Sequence, residues 1–281
     1  KVGALKKMRG HIYTSTGDTF KGRKDFWYMG YRQFGDLTGR VSYMQHFMLS
    51  VSGRKISRKQ GEFLDLMSVM TNYGDPRLWM HQSAAAAANL GCSTAQSFVA
   101  ALASIEGERL GPLAGEAAAK LYEEVLARSR QESVPDILED KVRRGETLYG
   151  YGRPLVQTDE RVPVVMGWAR RYGFDKGPHT RLAFEIERWV KPKKEIVLNA
   201  GGLVSALLLD LGFRPRHVHA YWCVGFAGAM QAMIWEQSQR EPGTFLPMAV
   251  EDIEYVGRPP RGARLASRAK REPRRGGARE K

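Results

Sequence analysis

The chain carries little cysteine, two residues in 281, Cys92 and Cys223. That excludes a disulfide scaffold and a Cys-rich zinc module, and it makes a reducing, cytoplasmic setting the expectation. Long apolar runs are also missing. The most apolar stretch, 84–105, is interrupted by Asn89, Gln96 and several Ser and Thr. It reads as a buried helix pair, because a bilayer span needs roughly 20 predominantly apolar residues. The basic start from Lys1 to Arg9 leads into no apolar segment, so a secretory leader is not expected. Phosphate-cradling motifs are absent too. The segment GPLAGEAAAK lacks the Gly-Lys-Ser/Thr ending of a P-loop, no GxGxxG sits between a strand and a helix, and there is no GxSxG elbow. Strand-like alternation is scarce and no internal repeat is visible.

What is present is enough apolar material for a core. Hydrophobic residues make up 43% of the chain, which excludes global disorder. The formal charge is +14, and it sits at the ends. Residues 1–24 hold seven basic groups against one acid, and residues 257–281 hold ten against two, leaving a body with 27 of each sign. The C-terminal arm, residues 258–281, has no aromatic side chain and one Leu, so it cannot build a core of its own. It has charge for phosphate contacts but nothing to stack on bases, and nucleic acid is not the expected partner.

The body reads as helical. The first 35 residues look irregular, and a helical pattern is expected from Asp36 onward. In GEFLDLMSVM the set Phe63, Leu66, Met67 and Met70 falls on one helical face. A small-residue helix pair is expected over 83–105 and a second Ala-rich helix over 114–130, after Gly111-Pro112. A Gly/Pro-punctuated loop spans Gly145 to Pro163. Further helices are expected over 165–172, 180–190, 201–211 and 220–239. The fold class is therefore all-α.

Two constellations bear on chemistry. His217, His219 and Cys223 invite a metal reading, but only positions 219 and 223 share a helical face. Packed histidines are the expectation and no metal is assigned. The second is the loop Leu148 to Arg161. Gly150 and Gly152 flank Tyr151 and allow close backbone approach to a ligand. Arg153 follows directly and Arg161 arrives eight residues later. This suits an anionic ligand of nucleotide or acyl-CoA type; a turn with surface arginines is the plainer reading of the same residues.

At this loop the sequence resembles the citrate synthase family, especially its short members related to citryl-CoA lyase. Gly150-Tyr151-Gly152-Arg153 followed by Asp159-Glu160-Arg161 resembles the family's Gly-Tyr-Gly-His and Asp-Pro-Arg. Gly111-Pro112-Leu113-Ala114-Gly115-Glu116-Ala117 resembles its Gly-Pro-Leu-His-Gly-Gly-Ala turn. Asn199-Ala200-Gly201 resembles Asn-Val-Asp, Glu236-Gln237 the end of a late helix, and Tyr255-Val256-Gly257 a closing Tyr-x-Gly. Order and spacing agree over roughly residues 25–257.

The resemblance implies a two-domain, all-helical, dimeric citrate-synthase-like fold. Residues 1–115 and 206–257 would form the large domain, 116–205 the small domain closing over a cleft, and 258–281 a basic arm. It also implies acyl-CoA chemistry, in which an Asp takes a proton alpha to the thioester, one His stabilises the enolate oxygen and another polarises a ketone. Here those positions correspond to Gly201, Ala114 and Arg153. The family's Asp-His-Gly appears as Asn72-Tyr73-Gly74. Arg161 remains as an anion binder, with Tyr73, Gly150, Tyr151, Gly152 and Arg153 as the rest of the expected ligand-binding set. Glu116 and Asp159 are candidate relocated bases; a helix-opening acid and a turn cap are the plainer readings of the two. The expectation is a family member that has lost the standard His/His/Asp set and serves as a non-catalytic or regulatory subunit, as a homodimer or beside a related subunit. A rewired acyl-CoA lyase or acyltransferase acting on another substrate is the alternative. No resident cofactor or metal is expected; a CoA thioester would be substrate or ligand.

Overall fold

The computed structural model describes residues 2–10, 13–19, 24–153, 158–244 and 249–258. Most of the basic arm, and residues 154–157 of the glycine loop, lie outside them. Contacts gather the chain into one compact unit, Lys1–Phe245, and a second, Leu246–Lys281. Twelve α-helices are present among the described residues: α1 (Val2–Met8), α2 (Tyr43–Ser52), α3 (Arg58–Thr71), α4 (Trp79–Asn89), α5 (Thr94–Ile105), α6 (Pro112–Arg128), α7 (Val134–Arg143), α8 (Arg161–Tyr172), α9 (Pro178–Lys194), α10 (Ala200–Asp210), α11 (Pro215–Gly225) and α12 (Ala227–Ser238). No helix among them is long and apolar enough to cross a membrane.

Helix starts are written locally. Ser42, Ser57 and Ser93 each accept from the backbone N–H three residues on, and Gln45, Gln60 and Gln96 reach back to the cap residue. These three Ser-x-x-Gln capping boxes satisfy donors that a helix N-terminus otherwise leaves bare. Pro112 and Pro178 open α6 and α9 from the position where a missing N–H costs least.

The centre of the first unit is α10. Ala200, Gly202 and every residue from Leu203 to Leu209 are buried, the pattern of a helix apolar all round. It packs on α6, α8, α9 and α11, while α4, α5 and α12 form a second packed group. The small residues of α6 permit very close crossing. A Cβ on Gly115 would lie 2.4 Å from Trp222 Cδ1 of α11. This glycine therefore fixes how near the two helices come.

Several sequence expectations need correction. The first 35 residues are not irregular throughout. Strands β1 (Gly17–Thr19), β2 (Phe26–Tyr28) and β3 (Tyr31–Arg32) form an antiparallel sheet in that order. Aromatic residues favour the pleated surface, and Met29 and Gly30, both with positive φ, make the two-residue turn that matches strand twist. From Asp36 the chain does not run on as α-helix. A short π-turn at Gln33–Leu37 precedes α2. The expected helix over 220–239 is two, α11 and α12, divided at Phe226 (φ −108°, ψ 0°). Asn72 Oδ1 accepts from Ala229 N–H at 2.5 Å and so serves the start of the new helix. Helix α7 was not anticipated; it buries Val134, Ile137, Leu138 and Lys141.

In the second unit, Val250–Asp252 forms a short 3₁₀ turn. Tyr255, of the expected Tyr-x-Gly, is exposed and donates its hydroxyl to the Arg258 carbonyl.

Candidate functional site

The glycine loop is tied to the strand-like approach of α10. Gly152 N–H donates to Val197 O (2.8 Å), Asn199 N–H to Gly150 O (2.9 Å), and Asn199 Nδ2 to Gly152 O (2.9 Å). Tyr151 lies between the two glycines and points into the core, where its hydroxyl donates to Ala183 O of α9 at 2.8 Å. Burial pushes its hydroxyl pKa well up. Gly150 and Gly152 have φ of 93° and 80°, backbone that L side chains rarely adopt. The loop's shape thus follows from its two glycines and an aromatic anchor.

Asp159 is the hub beside it, with a side chain wholly shielded from solvent. Its Oδ2 accepts from Ala200 N–H at the head of α10 (2.8 Å) and from Arg161 Nη2 (2.7 Å); its Oδ1 accepts from Arg161 Nε (2.8 Å). Burial works to raise this carboxyl, but Arg161 and the Ala200 N–H outweigh it and hold it below the ordinary value. Arg153 Nη1 is 3.6 Å from Asp159 Oδ1 and 2.6 Å from Glu160 Oε2. Tyr73, 41% exposed, lies in electrostatic range of Arg161 and of Arg77.

The first turns of α6 and α10 meet at Gly115 and Gly201. The Ser205 hydroxyl is within reach of both the Gly115 carbonyl (3.0 Å) and the Gly201 carbonyl (2.8 Å). Asp159 joins that junction to Arg153 through Ala200. Gly115, Gly201, Asp159 and Arg153 are therefore joined by one run of contacts, with Ala114 next to Gly115 in the chain. Ala114 and Gly201 are half-buried, and neither offers a proton donor or acceptor from its side chain.

Glu116 belongs to a second group on the other side of α6. It pairs with Lys120 Nζ (2.7 Å) and lies 2.9 Å from His219 Nδ1 of α11, off the direction of a hydrogen bond. Lys120 chiefly, and His219 to a smaller extent, hold its carboxyl below the ordinary value. Glu116 also lines a hollow of about 340 Å³ with Glu108, Leu113, Ala117, Lys120 and Tyr149. His219 Nε2 is 3.0 Å from Glu106 Oε1, and Cys223 completes a cluster in which one ligand atom each from Glu106, His219 and Cys223 lie within 4.8 Å of one another. His217 is apart from it: its Nδ1 accepts from the Arg214 N–H that opens α11 (3.1 Å).

Sequence reasoning passed over Asp159 as a hub and Glu106 altogether. The i, i+4 spacing of His219 and Cys223 was visible. What it could not supply was the tight turn Gly107↔Leu110 that brings the end of α5 back over α11.

With this geometry in view, the scaffold can be assigned. The family model for the citrate synthase C-terminal domain matches residues 26–243. The chain belongs to the citrate synthase family. In structure it is similar to citryl-CoA lyase from Hydrogenobacter thermophilus, at a TM-score of 0.78 and 24% identity, covering 89% of this chain and 96% of that one. It is also similar to ATP citrate lyase from Methanothrix soehngenii, in a complex with citrate and coenzyme A. There the TM-score is 0.72 with 17% identity, over 92% of this chain but 44% of that one. In sequence it is 35% identical over 106 residues to the alkylcitrate synthase PhiJ of a fungal species (strain ATCC 74256); the match takes in 34% of this chain and 22% of that relative's length.

Proposed function

We propose that this chain keeps an acyl-CoA-type cleft on the citrate synthase scaffold but has lost the family's proton-handling side chains. It would act as a non-catalytic or regulatory subunit, in a homodimer or beside a related active subunit. The observation that carries this reading is the state of the nearby carboxylates. Asp159 is held ionised by Arg161, Glu160 faces Arg153, and Glu116 is paired with Lys120 and His219. A carboxylate held ionised in this way is a weak general base for an acidic C–H. Nothing at Ala114 replaces a side-chain oxyanion donor, whose loss alone costs roughly 3 kcal/mol of barrier lowering.

In this reading Arg161, Arg153 and Tyr73 face an anionic ligand, and Tyr151 with the two glycines sets the loop's shape. The division into a large domain (1–115 and 206–257) and a small one (116–205) that closes over the cleft belongs to the same proposal. Structural relatives whose complexes contain citrate and coenzyme A support the ligand class.

One observation favours the alternative, a rewired acyl-CoA lyase or acyltransferase. Glu116 lines the 340 Å³ hollow, and the His219 imidazole stands 2.9 Å from it. Two measurements separate the readings. Calorimetry with acetyl-CoA and with CoA is expected to show binding; no heat with either removes the cleft. Incubation with acetyl-CoA in deuterated water is expected to leave the alpha protons unexchanged. Exchange, or citrate formed with oxaloacetate, overturns the non-catalytic reading.

A further inference from the structure

We propose that Glu106, His219 and Cys223 form a binding site for one divalent transition-metal ion of the zinc class, with Glu116 as the outer partner that orients His219. The ligand atoms come from two elements. Glu106 is the residue that ends α5, and His219 and Cys223 stand one helical turn apart on α11. Their donor atoms lie within 4.8 Å of one another. A tetrahedral ion with bonds of about 2.0–2.3 Å places its ligand atoms roughly 3.3–3.8 Å apart. Glu106 Oε1 and His219 Nε2 already stand 3.0 Å apart, and the Glu106 side chain is 40% exposed, which leaves it room to adjust as the ion is bound. Imidazole, thiolate and carboxylate together suit a borderline ion, and three protein ligands leave a fourth position for water.

The surroundings match how such sites are built. A histidine that binds metal through Nε2 presents its Nδ1–H to a carboxylate, which fixes tautomer and ring orientation. Here Nε2 faces Glu106 at 3.0 Å, and Nδ1 stands 2.9 Å from Glu116 but off the direction of a hydrogen bond, so Glu116 takes the outer place once the ring turns to the ion. The α6–α11 approach that sets this arrangement is rigid, because Trp222 sits directly on Gly115. His219 lies one turn before Trp222, opposite Glu116. A bound dication favours the Cys223 thiolate. The step is the loss of the S–H proton to solvent as the sulfur–metal bond forms, with no change in oxidation state. The plain competitor is a histidine paired with two carboxylates and a bystander thiol.

The two are told apart with the full-length chain carrying Cys92→Ser, since Cys92 is the other cysteine and is exposed. After removal of metal, Co²⁺ is titrated and read by its absorption spectrum. The expected result is one equivalent per chain, with a thiolate-to-cobalt charge-transfer band and intense tetrahedral d–d bands that Zn²⁺ abolishes. Calorimetry with Zn²⁺ should release about one proton per ion from the thiol. Adding Cys223→Ser should remove the charge-transfer band, and Glu116→Gln should weaken affinity by about 10–100-fold while keeping the band. Glu106→Gln, at an exposed position, should weaken binding at least tenfold. No cobalt band, a band that survives Cys223→Ser, or Zn²⁺ affinity indifferent to Glu106→Gln overturns the site. None of these readouts depends on CoA binding, so a failed cleft and a failed metal site remain distinguishable.

Discussion

Gly150 and Gly202 meet backbone to backbone. A Cβ on Gly202 would lie 2.4 Å from the Gly150 carbonyl oxygen, and a Cβ on Gly150 would lie 2.9 Å from the Gly202 Cα. The loop is locked to α10 at this point, and the neighbouring positions Arg153 and Gly201 take their placement from it. Gly202→Ala should therefore destabilise the fold by about 1–3 kcal/mol or more, as overpacking against backbone does. Gly150→Ala adds a strained positive φ to the same clash. Gly167→Ala is the matched control. It lies within α8, has nothing within 4 Å of the added carbon, and should gain up to about 1 kcal/mol. Urea unfolding of the three variants checks the ordering.

The Asp159–Arg161 pair is expected to matter more to stability than Arg153–Glu160. Asp159 is shielded and engaged at both oxygens, whereas Glu160 is 72% exposed. Asp159→Ala should cost about 3 kcal/mol, because it strands a partly buried guanidinium and a helix-terminal N–H. Arg153→Ala should cost less than about 1 kcal/mol. The acid dependence follows from sign. The folded carboxyls of Asp159 and of Asp210, which accepts from His179 and Thr180, are both depressed. Their contribution is complete above the unfolded value near pH 4 and is lost as pH falls through the lower folded values. The melting-temperature gap between the native chain and Asp159→Ala should hence be flat at neutral pH and narrow below about pH 4.

Much of the helical frame was legible because periodicity and breakers are local. Phe63, Met67 and their neighbours announce α3, and Gly111-Pro112 announces α6. The Ser-x-x-Gln boxes were equally legible but were not read. Ser93→Ala should cost about 1 kcal/mol by losing the cap of α5, measurable as a lower denaturant midpoint with an unchanged slope. The division between α11 and α12 was not legible, since Ala220 to Gln239 keeps a helical pattern across Phe226. What starts the second helix is tertiary: Asn72, from the end of α3, supplies the acceptor for Ala229. The site divides in the same way. Gly150, Tyr151, Gly152, Arg153 and Arg161 are contiguous enough for the loop to be recognised. The Glu106–His219–Cys223 cluster exists only once the turn after α5 has folded back.

The last prediction tests whether the scaffold still holds family geometry. If Ala114, Arg153 and Gly201 stand where the reacting groups of the family would stand, replacing them together should raise activity above that of the native chain. The variant is Ala114→His, Arg153→His and Gly201→Asp. An added Cβ at Gly201 meets the Asn199 Oδ1 at 3.2 Å, a side-chain atom with some room to give. Arg153 is 19% exposed and its loss leaves the buried Asp159–Arg161 pair in place. The base and the oxyanion donor act on one proton transfer, so the single variants should do little. The triple variant should exchange the alpha protons of acetyl-CoA in deuterated water at least about 10²-fold faster than the native chain, the worth of roughly one positioned donor. A folded triple variant that binds acetyl-CoA and shows no exchange would mean that the three positions do not face one substrate.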